Sequence, residues 1–209
     1  MKNVSPIILL FLLFPILGFS KTISKIIGSA GDHFVTTREV EINSLIEGAL
    51  YSGKTFEKAK PDGPKFLSDV NAVLLELIVS LEAEQFSVTN VSAEALASAR
   101  QKVERGLKGR ADWKSLNVSS YEIQNQIKRK LLAKQFIRFK VESSYVTVTD
   151  LEAEEFFRKN SKMFQGADLK TKKDEIKASL SRQRVDQRLQ EWFGVLHKKY
   201  AVRNFVTPS

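Results

Sequence analysis

The chain has 209 residues, 43% hydrophobic and 27% charged, the balance of a folded globular protein of one domain or two small ones. It has no cysteine and only two histidines, His33 and His197, which sets aside structural zinc, iron–sulfur clusters, cysteine nucleophiles and disulfide scaffolds. A formal net charge of +9 suggests an acidic or anionic partner, and speaks to association rather than to fold.

The chain opens with the pattern of an export signal: Lys2, an apolar run from Ile7 to Leu17, then Gly18-Phe19-Ser20 with small residues at −3 and −1. Cleavage is expected after Ser20, with Lys21 starting the mature chain. The run is too short for a regular membrane-spanning helix, which needs about 20 residues for ~30 Å of hydrocarbon. Further on, the best apolar stretch is Val73 to Leu81, and Glu76 interrupts it. No cysteine at the junction offers a lipid attachment point.

Residues 23–35 read as two short strands around a Gly28…Gly31 turn. Thr36 and Glu39 have the spacing of a capping box, and Val40, Leu45, Ile46 and Ala49 follow at helical intervals. Gly53, Pro61, Gly63 and Pro64 mark a linker, with Pro64 placed to open a helix. The stripe Phe66, Val70, Val73, Leu74, Leu77, Ile78, Leu81 predicts a largely buried helix of about 22 residues. Ser92 caps a further helix ending at Gly106, and Asp112-Trp113 reads as a short connector.

Ser119 and Glu122 form a second box, opening a long helix with apolar positions Ile123, Ile127, Leu131, Leu132, Phe136 and Phe139. Thr149 and Glu152 form a third, before a shorter helix through Phe156 and Phe157. A last helix runs from Asp168 to about Lys198, its terminal charges favourable to the helix dipole. Ala201 to Val206 alternates like a strand. The predicted fold class is mainly α: a bundle of long amphipathic helices with a small β-sheet formed by the N- and C-terminal strands. Residues 21–209 are expected to make one domain.

Residue chemistry offers little for catalysis. GLKGR at 106–110 lacks the spacing and preceding strand of a phosphate loop, His33 and His197 have no motif partner, and no serine sits in a G-x-S-x-G setting. The acids Asp150, Glu152, Glu154 and Glu155 read as first-turn stabilisers of a helix N-terminus rather than paired catalytic carboxylates. No catalytic residue, metal or cofactor is therefore expected. The charge is more telling: residues 21–118 balance to zero, while residues 119–209 carry a net +8. Lys128, Arg129, Lys130, Lys134, Arg138 and Lys140 crowd one helix, and Lys170, Lys172, Lys173, Lys177, Arg182, Arg184 and Arg188 another. Together they predict a broad positive surface for acidic polypeptide or anionic lipid. Export makes nucleic acid a poor partner.

The ordered set of pieces resembles the N-terminal chaperone module of SurA-type periplasmic folding factors, relatives of PrsA and trigger factor in architecture. IIGSAGDHFVTTREVEINSLI, residues 26–46, is similar to that family's hairpin and first helix, with Thr36, Glu39 and Val40 at the recurrent positions. Residues 116–164 carry the long basic helix and the V-T-V-T-D-L-E start of a shorter one; the last helix and YAVRNFV resemble the return to the core. In the family a parvulin-type prolyl isomerase domain is usually inserted near Lys162-Met163-Phe164-Gln165; here only Gly166 and Ala167 precede Asp168. The resemblance implies an ATP-independent periplasmic chaperone for unfolded outer-membrane or secreted chains, without isomerase activity. Trp113, Phe157, Met163 and Phe164 are the candidate client-binding residues. The alternative is a non-catalytic adaptor for one envelope partner or an anionic membrane surface. The last helix, roughly 30 residues and ~45 Å long, allows a monomer or a domain-swapped homodimer.

Overall fold

A computed structural model describes residues 24–52, 55–87, 90–144, 146–164 and 166–206. The expected leader, residues 1–20, lies outside these, as do Ile23, Gly53, Gln165 and Pro208. Ile26–Ala30 (β1) and His33–Thr36 (β2) form an antiparallel hairpin, and Arg203–Asn204 (β3) pairs antiparallel with the other edge of β1, giving the order β2-β1-β3. The two ends of the chain therefore share one sheet, as a hairpin too marginal to stand alone requires. Gly31 supplies the turn, at φ +56°, and its N–H donates to the Tyr200 carbonyl at 2.6 Å. Gly28, expected in the turn, instead lies inside β1, where a Cβ would meet a Leu74 methyl at 3.1 Å. The C-terminal strand is shorter than the alternation 201–206 predicts. Ala201 bends left-handed at φ 44°, and the Phe205 N–H adds one bond to the Ile27 carbonyl.

Six helices follow the predicted order and a seventh, α4, joins them: Thr37–Tyr51 (α1), Phe66–Phe86 (α2), Ala93–Leu107 (α3), Ala111–Leu116 (α4), Ser120–Ser143 (α5), Asp150–Lys159 (α6) and Leu169–Lys199 (α7). The boxes Ser119/Glu122 and Thr149/Glu152 are fully formed. At α1 only half a box exists. Thr36 Oγ1 accepts from the Glu39 N–H at 3.2 Å, but the Glu39 carboxylate turns to Arg129 at 2.5 Å. Ser92 caps α3 as expected, and α3 runs one residue past Gly106. Asp112-Trp113 is not a connector: it lies inside α4, held by the Arg110–Asp112 ion pair at 2.6 Å. Among the described residues no helix is long and apolar enough to cross a membrane.

The body has two apolar cores. One joins Ile27, Ala30 and Val35 of the sheet to Val70, Leu74 and Ile78 of α2, Leu132 and Phe136 of α5, and Leu196 of α7. The other joins Ile42, Leu45 and Ile46 of α1 to Val103 and Leu107 of α3, Leu116 of α4, and Ile123 and Ile127 of α5. Thus α5 serves both, its first half in one core and its second half in the other. At Gly48, the Phe56 ring sits within 2.2 Å of where a Cβ would be, so only glycine lets the linker fold back on α1.

Residues 146–185 form an arm. α7 meets the body from Trp192 onward, through Trp192, Phe193, Leu196 and Tyr200, while its earlier turns carry α6 folded back along them. The stretch before Trp192 spans roughly 30 Å at ~1.5 Å per residue. Between α6 and α7 only Ala153, Ile176, Ser181 and Val185 are buried. A single-turn 3-10 helix, Ser161–Phe164, closes the far end.

Candidate functional site

The groove between α1, α2 and α5 has a volume of about 470 Å³, with Ile42 and Leu77 in its floor and Arg38, Glu84, Tyr121 and Lys128 at its rim. Behind it lies an ion network that separates the two cores. Arg129 pairs with Glu39 at 2.5 Å and Glu76 at 2.9 Å, and Lys130 pairs with Glu76 and Glu47, both at 2.6 Å. Asn43 donates to Glu76 at 3.1 Å and accepts from Lys130 at 3.3 Å; Gln126 accepts from Arg129 at 3.1 Å. Burial pushes the Glu76 carboxyl up, but the Lys130 and Arg129 charges and hydrogen bonds outweigh it, and its pKa lies below the ordinary carboxylate range. The Arg129 guanidinium, which burial opposes, is held protonated by Glu76 and Glu39. These groups satisfy one another, which suits a structural brace better than a reacting centre. Among the described residues no three His, Asp or Glu side chains gather as a metal site.

The network takes two residues out of the expected positive face. Arg129 and Lys130 are turned inward, and Lys134 lies over the Tyr51 ring at 3.9 Å. Lys140 lies over Trp192 at 5.3 Å, and Arg138 pairs with Glu142 at 2.9 Å. On α7, Lys173 and Lys177 hold Asp150 at 2.7 and 2.8 Å, and Arg184 pairs with Glu152. Part of the basic set is thus tied up in pairs, while Lys128, Lys170, Arg182 and Arg188 are exposed and form no ion pair among the described residues.

Where the arm leaves the body, α2, α5 and α7 build an elbow of aromatic rings. Phe136 is buried at its centre, with Phe86 at 5.8 Å, Phe139 at 5.9 Å and Trp192 at 5.7 Å between ring centroids. Around it Phe86 is 57% exposed and Phe139 39%. An apolar surface that the fold leaves partly uncovered beside a packed ring has the character of a binding patch. Neither stands out in the sequence: Phe139 falls on the α5 stripe that reads as core, and Phe86 lies past the last position of the α2 stripe.

At the arm's tip the structure brings together three of the four residues singled out from the sequence. Phe157 stacks on Phe164 at 4.9 Å, Phe156 meets Phe164 edge-on at 6.2 Å, and Met163 projects beside them, 74% exposed. Trp113 stands apart: it packs half-buried against the core of α1, α3 and α5. The three rings cover one another, so Met163 is the tip's main exposed apolar group.

The acids of α6 do more than stabilise its N-terminus. Hydrogen bonds from Lys173 and then Lys177 hold the Asp150 carboxyl at about 2, and those from Arg184 and from Thr149 hold Glu152 at about 2. Both folded values lie below the unfolded ones of about 3.9 and 4.3, so this support is complete above those values and is lost as pH falls toward 2. The arm is expected to loosen in that window before the body does. Backbone NMR signals of α6 should broaden or shift toward coil positions on acidification, while those of α2 persist. In Asp150→Asn/Glu152→Gln the α6 signals should already be weakened at neutral pH and change little in acid. An α6 unaffected at about pH 2 would contradict the ion pairs.

Against these features, no protein family, curated protein or solved structure compared with the chain matches it.

Proposed function

We propose that the protein is an ATP-independent chaperone, exported to the periplasm through its N-terminal segment, that holds unfolded outer-membrane or secreted chains without isomerase activity. The observation that carries this reading is the elbow: Phe86 and Phe139 exposed around a buried Phe136, at the root of an arm that stands off the body. Burying a Phe side chain fully contributes about 1.5–3 kcal/mol, and the exposed parts of these two rings together make about one side chain, so covering them gives ~1.5–3 kcal/mol. Such a grip is weak and reversible, which suits holding and release without a nucleotide. The arm allows an extended client to be followed along α7 while remaining accessible.

Light scattering of an unfolded outer-membrane protein diluted from urea tests the reading. The chain at modest molar excess is expected to suppress aggregation, and Phe86→Ala/Phe139→Ala to require several times more protein for the same effect. Absence of suppression by the unaltered chain would sink the proposal. Suppression untouched by the double variant would move the client surface away from the elbow. A single stoichiometric envelope partner in pull-down, in place of a spread of unfolded clients, would favour the adaptor.

A further inference from the structure

The arm's tip differs from the elbow in shape and charge. From Phe156 to Lys170 the chain carries Arg158, Lys159, Lys162 and Lys170 against one acid, Asp168. Lys159 reaches Glu155 at 3.5 Å, whereas Arg158, Lys162 and Lys170 are exposed and form no ion pair among the described residues. Further along α7, Lys172, Lys173, Lys177 and Arg184 are paired with acids, and Arg182 and Arg188 form no ion pair among the described residues. Within the arm, three cations without an ion pair thus lie where it ends, against Arg182 alone along its length. Amid them stands Met163, exposed and next in sequence to Phe164 of the Phe157–Phe164 stack.

We propose that this tip is a docking point for an anionic phospholipid bilayer, with Met163 entering the headgroup boundary and Arg158, Lys162 and Lys170 meeting lipid phosphates. Three features favour a bilayer over a polypeptide. The aromatic rings at the tip pair with one another and leave Met163, 74% exposed, as its main apolar group, too small a surface to bed a client side chain. A bilayer surface accepts a shallow apolar wedge and rewards cations around it, each basic side chain strengthening attachment about fivefold. Finally, a lever of roughly 30 Å holds the tip clear of the body, so the elbow stays free while the tip is seated. The inference goes beyond the chaperone reading and does not depend on it.

The chain has no cysteine, so Met163→Cys provides a single attachment point for an environment-sensitive fluorophore, and Ser179→Cys, exposed on α7, provides a control. The full chain is titrated with phosphatidylcholine vesicles, with and without phosphatidylglycerol. The label at 163 is expected to shift to the blue, and to be quenched by spin-labelled lipid, only with the anionic vesicles. The response should weaken with added salt, and the label at 179 should stay unchanged. Adding Arg158→Gln/Lys162→Gln should raise the lipid concentration needed at half-response by ~25-fold. Because the readout sits on residue 163, attachment through the apolar N-terminal segment does not imitate it. An unshifted label, or an equal response on neutral vesicles, would overturn the proposal. So would a label that responds to unfolded polypeptide and not to vesicles, which would make the tip a client site. Aggregation suppression is read separately, so either proposal can fail without the other.

Discussion

Glu76→Leu is expected to lower stability by about 3–5 kcal/mol, the largest effect of any single substitution outside the apolar cores. A leucine matches its surroundings on α2, where Glu76 stands among Val73, Leu77 and Val79 of the sheet-side core. What fails is the balance of charge. Lys130, its side chain 6% exposed, loses a partner at 2.6 Å, and Arg129, 17% exposed, loses one at 2.9 Å. Glu39 and Glu47 remain, but Glu47 is half exposed and cannot replace a buried carboxylate. Removing Lys130 as well, in Glu76→Leu/Lys130→Met, should recover a large part of the loss, because an apolar pair asks for no counter-charge. Urea denaturation of the four proteins of this cycle measures the coupling. The pH dependence follows from the same geometry. The Glu76 pKa is depressed in the folded state, so its contribution is complete above the unfolded value of about 4.3 and is lost as pH falls below it. Unaltered protein and Glu76→Leu should therefore converge in stability in acid. Equal stability of the two at neutral pH would show that the network braces nothing.

Local chemistry made part of this structure legible in advance. Ser119/Glu122 and Thr149/Glu152 are complete instructions for a helix start, since every atom of the cap lies within four residues. The sheet was legible for a global reason: two short strands at one end needed a third, and the other end held the remaining strand pattern. Bonds between distant segments were not legible. The Arg129–Glu76 and Arg129–Glu39 pairs span 53 and 90 residues, and nothing in either helix alone announces the partner. Glu39 shows the consequence, since the distant arginine takes the carboxylate that a local box would have used. A signal did exist: one carboxylate inside an apolar run, and Arg129-Lys130 between Ile127 and Leu131-Leu132, each a charge that the core must answer. The same limit explains the sites. Phe136 and Phe139 share a stripe of α5, yet one is buried and the other open, because α2 and α7 cover only part of it. Phe157, Met163 and Phe164 were singled out by their place beside the resembled family's insertion point, which also keeps them together at the end of the arm, whereas Trp113 was put in a connector because its α4 is only six residues long.

Deleting residues 200–209 is expected to release the N-terminal strands as well as the C-terminal one. Tyr200 is the clasp: its carbonyl accepts from Gly31 at the hairpin turn at 2.6 Å, and its hydroxyl donates to Glu82 of α2 at 2.8 Å. Burial, and then the bond to Glu82, push the Tyr200 hydroxyl well above its ordinary range, so at neutral pH it keeps its proton and donates to that carboxylate. Beyond it, Phe205 bonds Ile27, Asn204 bonds Asn71, and Val202 and Val206 pack on the core of the sheet and α2. Removing these together takes away several bonds of ~1 kcal/mol each and the partial burial of three apolar side chains, a loss on the order of 4–6 kcal/mol. What remains is a two-stranded hairpin with a weakened hold on α2, and α7 without its terminal anchor. Hydrogen exchange should then show the amides of Ile26–Ala30 losing most of their protection, although no residue of β1 has been altered. Those of α3, which lies in the other core, should change far less. Full protection of β1 after the deletion would mean that the hairpin stands on α2 alone, and that the joining of the chain's two ends does not hold the sheet together.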